Sequence, residues 1–128
     1  MPEDFRSLSE LLGQVKKTLE NGLPGQYWVI AEIMELRVNR HCYLELIEKS
    51  EENELLLARV RATIWASRYS MLRPYFETST GTQLKSGIKI LCKASVEFHP
   101  QYGLSLNITD IDPSYTLGDL ARKRQEVI

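Results

Sequence analysis

Arg59, Arg61, Thr63 and Trp65 alternate along the chain with Val60, Ala62 and Ile64, and His41, Tyr43 and Glu45 alternate with Cys42, Leu44 and Leu46. Successive side chains of a strand point to opposite faces. Each run therefore turns one apolar face to a core and one face of aromatic, cationic or imidazole groups outward. Aromatic rings stack on bases, and planar guanidinium groups meet phosphates or stack on bases, with little dependence on base sequence. The chemistry expected of this pair is capture of single-stranded nucleic acid. Tyr43 and Trp65 are the candidate stacking platforms. Arg59 and Arg61 are the candidate phosphate contacts, and an ion pair to Glu45 is the competing use of the same face.

Bond-breaking chemistry finds no complete set of groups. His41 and His99 are far apart in sequence, and no serine or cysteine stands at a nucleophile elbow. Asp110 and Asp112 alternate at a strand end. Paired carboxylates can hold a metal for phosphodiester hydrolysis, but acids before Pro113 are more often solvated turn residues. Two cysteines and two scattered histidines lack zinc-site spacing, and there is no phosphate-binding glycine loop. The expectation is no catalytic residue, no metal site and no cofactor in this chain. Cys42 and Cys92 fall on apolar strand faces and read as reduced core cysteines.

The elements that position these residues follow from period and punctuation. Ser7 with Glu10 has capping-box spacing, and Leu8, Leu11, Leu12, Val15 and Leu19 share one helical face until Asn21-Gly22. This helix is expected to close one barrel end, or else to dock another domain or copy. Tyr27 to Val38 reads as a long strand, with a second from Cys42 and a third over 55–65 after a charged loop. Ser67 to Phe76 reads as a helix that Pro74 shortens, kinks or ends, and 78–82 as loop. Gly87 opens a fourth strand. His99 to Gly103 is a hairpin connection, and Asp112-Pro113 ends a fifth strand. Thr116 to Ile128 has helix-forming composition.

Five short strands with a helix between the third and fourth predict a mostly β protein. The expected architecture is a five-stranded Greek-key barrel of the OB type, with flanking helices and an extra N-terminal helix. In such a barrel two loops flank the binding groove. Arg37, Arg40 and His41 lie in or beside the first, and Gln101 and Tyr102 in the second. The candidate nucleic-acid contacts are therefore Arg37, Arg40, His41, Tyr43, Arg59, Arg61, Trp65 and Tyr102.

At 128 residues the chain makes one domain with a real core. Its net charge of −1 argues against a strongly DNA-avid domain. The distribution softens that argument, because Glu48, Glu51, Glu52 and Glu54 gather in one loop while arginines line the strands. No apolar run is long enough to cross a membrane, and the acidic start Met1 to Asp4 lacks the basic opening of a secretory signal. A cytoplasmic location is expected.

Four segments carry a family resemblance. They are Ser7-Leu8-Ser9-Glu10-Leu11, Trp28-Val29-Ile30-Ala31-Glu32-Ile33, His41-Cys42-Tyr43-Leu44 and Arg61-Ala62-Thr63-Ile64-Trp65. In order and spacing they resemble the N-terminal domain of the exodeoxyribonuclease VII large subunit, over nearly the whole chain. Ala31 stands where that family usually has glycine, Asn39-Arg40 where it has Ser-Gly, and Trp65 where phenylalanine is commoner. The resemblance implies an OB-fold that binds single-stranded DNA over residues 1–115. Residues 116–128 would begin a connection toward a catalytic domain elsewhere in the protein. The implied parent is a hydrolase that degrades single-stranded DNA to oligonucleotides and assembles with small subunits through a later region. The sequence is silent on that nuclease domain's metal requirement. Two other readings compete: an OB adaptor that binds protein, which the near-zero charge favours, and a tRNA anticodon-binding domain.

Overall fold

The computed structural model describes residues 1–126. Its elements are α1 (Leu8–Gly22), β1 (Gln26–Asn39), β2 (His41–Lys49), β3 (Leu56–Ile64), α2 (Ala66–Thr80), β4 (Lys89–His99), β5 (Gly103–Asp112) and α3 (Pro113–Glu126). The strands close into a barrel in the order β1-β2-β3-β5-β4, the five-stranded OB topology that the element order predicts.

Closure depends on β1, a strand of 14 residues. Its first half pairs with β4, from Gln26 opposite Ser95 to Glu32 opposite Lys89. Its second half pairs with β2, from Glu32 opposite Ile47 to Asn39 opposite His41. The register slips between Ile33 and Glu35, where Met34 is the extra residue of a bulge. A bulge bends the strand and sharpens its twist, which turns β1 from one sheet into the other. The ring is completed by a short parallel pairing of β3 with β5 at Arg61–Ser105, Ala62–Leu106 and Thr63–Asn107.

Inside, the alternation works as the sequence predicts. Cys42, Leu44, Leu46, Ala62, Ile64, Ile90, Cys92, Ala94 and Ile108 are buried together. Both cysteines are free thiols. Burial pushes the Cys42 thiol up to about 12 and the Cys92 thiol up to about 11.

The helices depart from expectation. α2 does not stop at Pro74 but runs on to Thr80 and ends at Gly81, whose left-handed φ of 74° suits a residue without Cβ. Proline removes one helical hydrogen bond. Here Leu72 on one side of it and Phe76 on the other are both buried in the core, and that anchoring carries the helix through. Thr78 to Thr80, expected as loop, are its last turn. β3 begins at Leu56 and ends at Ile64, so Trp65 occupies the N-cap position of α2 rather than a strand end.

α2 is also the helix that closes the barrel. α1 has the expected Ser7 cap, whose hydroxyl oxygen accepts from the Glu10 amide, but none of its residues is buried. It rests against β4 with Leu12, Val15 and Leu19 half-buried, while Leu8 remains 72% exposed. α3 starts three residues before Thr116, with Pro113 as its first residue. The Asp112 carboxylate accepts from the Ser114 amide and hydroxyl. These bonds hold the Asp112 carboxyl below its ordinary range and make it a helix cap. α3 is fixed to the barrel by the buried Thr116, whose hydroxyl donates to the Lys89 carbonyl. No helix among the described residues is long and apolar enough to cross a membrane.

Two outcomes follow. Phe76→Ala should cost about 3–5 kcal/mol in a urea melt, whereas Leu8→Ala should change stability by less than about 0.5 kcal/mol; equal losses would return the closing role to α1. The native protein should leave both thiols unreacted with a chromogenic disulfide reagent near pH 8, and the denatured chain should release both. Because both folded thiol values lie above the unfolded value, their contribution to stability is complete below about pH 9 and is lost as the pH rises from about 9 toward 11–12.

Candidate nucleic-acid interface

Strand register sets the outward face. One row around the barrel places Arg37 opposite Tyr43, Tyr43 opposite Thr63, and Thr63 opposite Asn107. The neighbouring row runs Glu35, Glu45, Arg61, Ser105 and Glu97. The eight predicted contacts sort into two groups on this face, with Arg40 and Arg59 beside them.

The first group surrounds Tyr43. The Arg37 guanidinium stands 5.5 Å from the Tyr43 ring centroid, a cation–π placement that leaves the ring half-buried. His41 lies edge-on to Tyr43 at 6.3 Å and to Trp65 at 4.7 Å between ring centroids. His41 is itself oriented, because its Nδ1 accepts from the Ala66 amide at 2.8 Å. That bond ties β2 to the start of α2 and holds Trp65, 46% exposed, beside the imidazole. Arg40 projects from the tip of the β1–β2 turn with φ of 62°, left-handed although it is not glycine. Such a residue costs on the order of 1–3 kcal/mol of local strain and calls for a reason.

The second group lies at the β4–β5 turn. The Arg61 guanidinium donates to the Tyr102 carbonyl. The Tyr102 ring stacks on His99 with centroids 4.5 Å apart, and the His99 Nδ1 accepts from the Gln101 amide at 3.0 Å. Arg61 therefore positions the loop that carries the aromatic pair. Arg59 is ion-paired with Glu45, the competing use of this face. The face thus carries several aromatic rings but few cations without an anionic or carbonyl partner.

Some residues of this surface escape the sequence pattern. His99 reads as part of a turn, yet it ends β4 opposite Gly103 and becomes half of the stacked pair. Asn107 has a buried Oδ1 without a hydrogen-bond partner among the described residues. An acceptor left in that state costs about 1–3 kcal/mol unless something donates to it. Neither has a local signal; each is defined by a partner across the sheet. Among the described residues no cluster of three or more histidine, cysteine or acidic side chains could hold a metal ion.

The family model described as an OB-fold nucleic acid binding domain matches residues 6–112. The chain is similar to the exodeoxyribonuclease 7 large subunit of Deinococcus radiodurans, with 43% identity over 94% of this chain and 30% of that protein. It is also similar to the exodeoxyribonuclease 7 large subunit of Rhodopirellula baltica, with 32% identity over 79% of this chain and 20% of that protein. The chain thus spans about a third or less of the length of these relatives. Among solved structures, the dimeric N-terminal domain of PriB from Thermoanaerobacter tencongensis aligns with a TM-score of 0.43 and 13% identity, covering 68% of this chain and 92% of that one, too distant to carry an argument. With that family match over residues 6–112 and the closed β1-β2-β3-β5-β4 barrel, the chain belongs to the OB-fold nucleic acid binding domain family.

Proposed function

We propose that this chain is a single-stranded DNA-binding module that hands a strand to a nuclease domain elsewhere in the same polypeptide, as part of an exodeoxyribonuclease VII large subunit. The observation that carries the binding role is the Arg37–Tyr43–His41–Trp65 cluster on the outward face between the two loops of the barrel. Bases stack on Tyr43 and Trp65, and Arg37 and the strained Arg40 meet the flanking phosphates. Tyr102 and His99 close the other side of the groove from the loop held by Arg61. The module itself makes and breaks no bond and needs no metal or cofactor. The parent hydrolase degrades single-stranded DNA to oligonucleotides in the cytoplasm, and its small subunits bind outside this chain. Likeness to exodeoxyribonuclease 7 large subunits supports this placement.

Stacking dominates over charge in this reading. Arg59 is held by Glu45 and Arg61 by a carbonyl, so few phosphates are neutralised. Each neutralised phosphate contributes roughly −0.7 to the slope of log affinity against log salt for a single strand, and a shallow slope is expected. Fluorescence anisotropy of a labelled oligodeoxynucleotide at two salt concentrations measures it, and binding should persist in EDTA. Tyr43→Ala should weaken binding about 5- to 150-fold, from a stacking contribution of about 1–3 kcal/mol. An RNA oligomer preferred over DNA would favour the anticodon-domain reading. No binding at low salt would favour the protein adaptor, to which the near-zero net charge also points.

The tie from Arg61 to the Tyr102 carbonyl gives a second outcome. Arg61→Ala should speed amide hydrogen exchange at Tyr102 and Gly103 and reduce affinity, while the thermal midpoint moves little because Arg61 is exposed. Unchanged exchange would mean that the loop holds its shape without the arginine.

A further inference from the structure

Away from the β2–β3 face, a second aromatic and cationic surface lies on β1 and β4. Trp28, opposite Lys93 in the register, is 50% exposed, and the Lys93 ammonium stands 6.0 Å from its ring centroid. Lys93 also lines a cleft of about 280 Å³ with Gln26, Thr109 and Arg68, the last from the first turn of α2. The Thr109 hydroxyl donates to the Lys93 carbonyl at 3.4 Å, which fixes β5 against β4 there. Asp110 lines the same cleft and stands opposite Lys93 in the β4–β5 register; one of its carboxylate oxygens accepts from the Ile111 amide at 2.8 Å. Among the described residues the ion pairs use Glu20, Glu32, Glu45, Glu77 and Asp119, and none takes Lys93 or Arg68.

This surface is continuous with the first. Trp65 lies two residues beyond Thr63, and Thr109 two beyond Asn107, the parallel partner of Thr63. The two chains therefore reach the same edge of the barrel. The Trp65 carbonyl accepts from the Arg68 amide at 2.9 Å, so Arg68 is one turn from Trp65. His41 and Trp65, then Arg68 and Lys93, then Trp28 form a band of two rings, two cations and a further ring, from β2 by way of α2 to β4 and β1, roughly 20 Å long at the usual strand spacing. Rings at both ends of a cationic stretch suit a phosphodiester chain with stacking bases.

We infer that single-stranded DNA held on the β2–β3 face continues over Trp65 and through the Arg68–Lys93 cleft to a second stacking contact on Trp28. The inference rests on the binding role proposed above. Arg68 and Lys93 meet phosphates, and Trp28 stacks on a base beyond the reach of the first face. Long strands thereby gain contacts that short ones cannot make.

The test uses an oligodeoxynucleotide of about five nucleotides and one of about fifteen, spanning the range of site sizes for one OB-fold. Trp28 and Trp65 are the only tryptophans, so the difference in emission between the unaltered chain and Trp28→Phe reports Trp28 alone. The expected result is that both oligomers raise anisotropy while only the long one quenches Trp28 emission. Trp28→Ala and Lys93→Ala should each weaken the long oligomer about fivefold or more and leave the short one unchanged, with thermal melts confirming that the variants fold. Tight binding of the long oligomer with unquenched Trp28 and unaffected variants would overturn the inference and leave the first face standing. Failure of both oligomers to bind the unaltered chain would overturn the binding role itself, and this extension with it.

Discussion

Everything on the aromatic outward face depends on β1 serving two neighbours. Its N-terminal half is a partner of β4 and its C-terminal half a partner of β2, with the bulge at Met34 between them. Without that bend the sheet would stay open, and the rows of outward residues would not line up from one strand to the next. The bulge also explains how one strand supplies both aromatic and cationic surfaces. Trp28 lies before it and faces Lys93, whereas Arg37 lies after it and faces Tyr43.

The charge arrangement on the face follows from what the barrel must do with its arginines. Sheet rows place Glu45 directly opposite Arg61, yet Glu45 pairs with Arg59, and Arg61 is left to reach the β4–β5 turn. A guanidinium spent on a backbone carbonyl gives order to a loop at the expense of a phosphate contact. The result is a groove shaped mainly by rings, which suits a ligand recognised by stacking and accounts for a nucleic-acid-binding family member with a net charge of −1.

Much of this was legible in the sequence because strands advertise their faces. The alternation from His41 to Leu46 and from Arg59 to Ile64 separates core from surface correctly, and the spacing of turns orders five strands into the OB topology. Legibility failed where a distant contact decides. Pro74 reads as a stop, but burial of Phe76 beyond it outweighs one missing hydrogen bond. α1 has the cleaner amphipathic pattern, yet α2 fills the barrel end, because position between β3 and β4 matters more than periodicity. At the candidate site, the residue types and their loops were readable. That His41 caps the approach to α2, or that Arg61 holds a loop 41 residues away, was not, since each bond joins segments that only the closed barrel brings together.

The seam between β3 and β5 has a consequence for how the molecule assembles. Only three residue pairs join these strands, and they are parallel, so the chain between them must travel through α2 and β4 before they can meet. Contacts of long sequence separation are entropically slow to form. The β1–β2–β3 meander is local and antiparallel and can be in place first, with α2 docked on it, before β5 slides in beside β3. Interactions made late raise the barrier to unfolding more than they speed folding. The shortest junction of the barrel would then act as its latch, setting how long the closed ring survives rather than how quickly it forms.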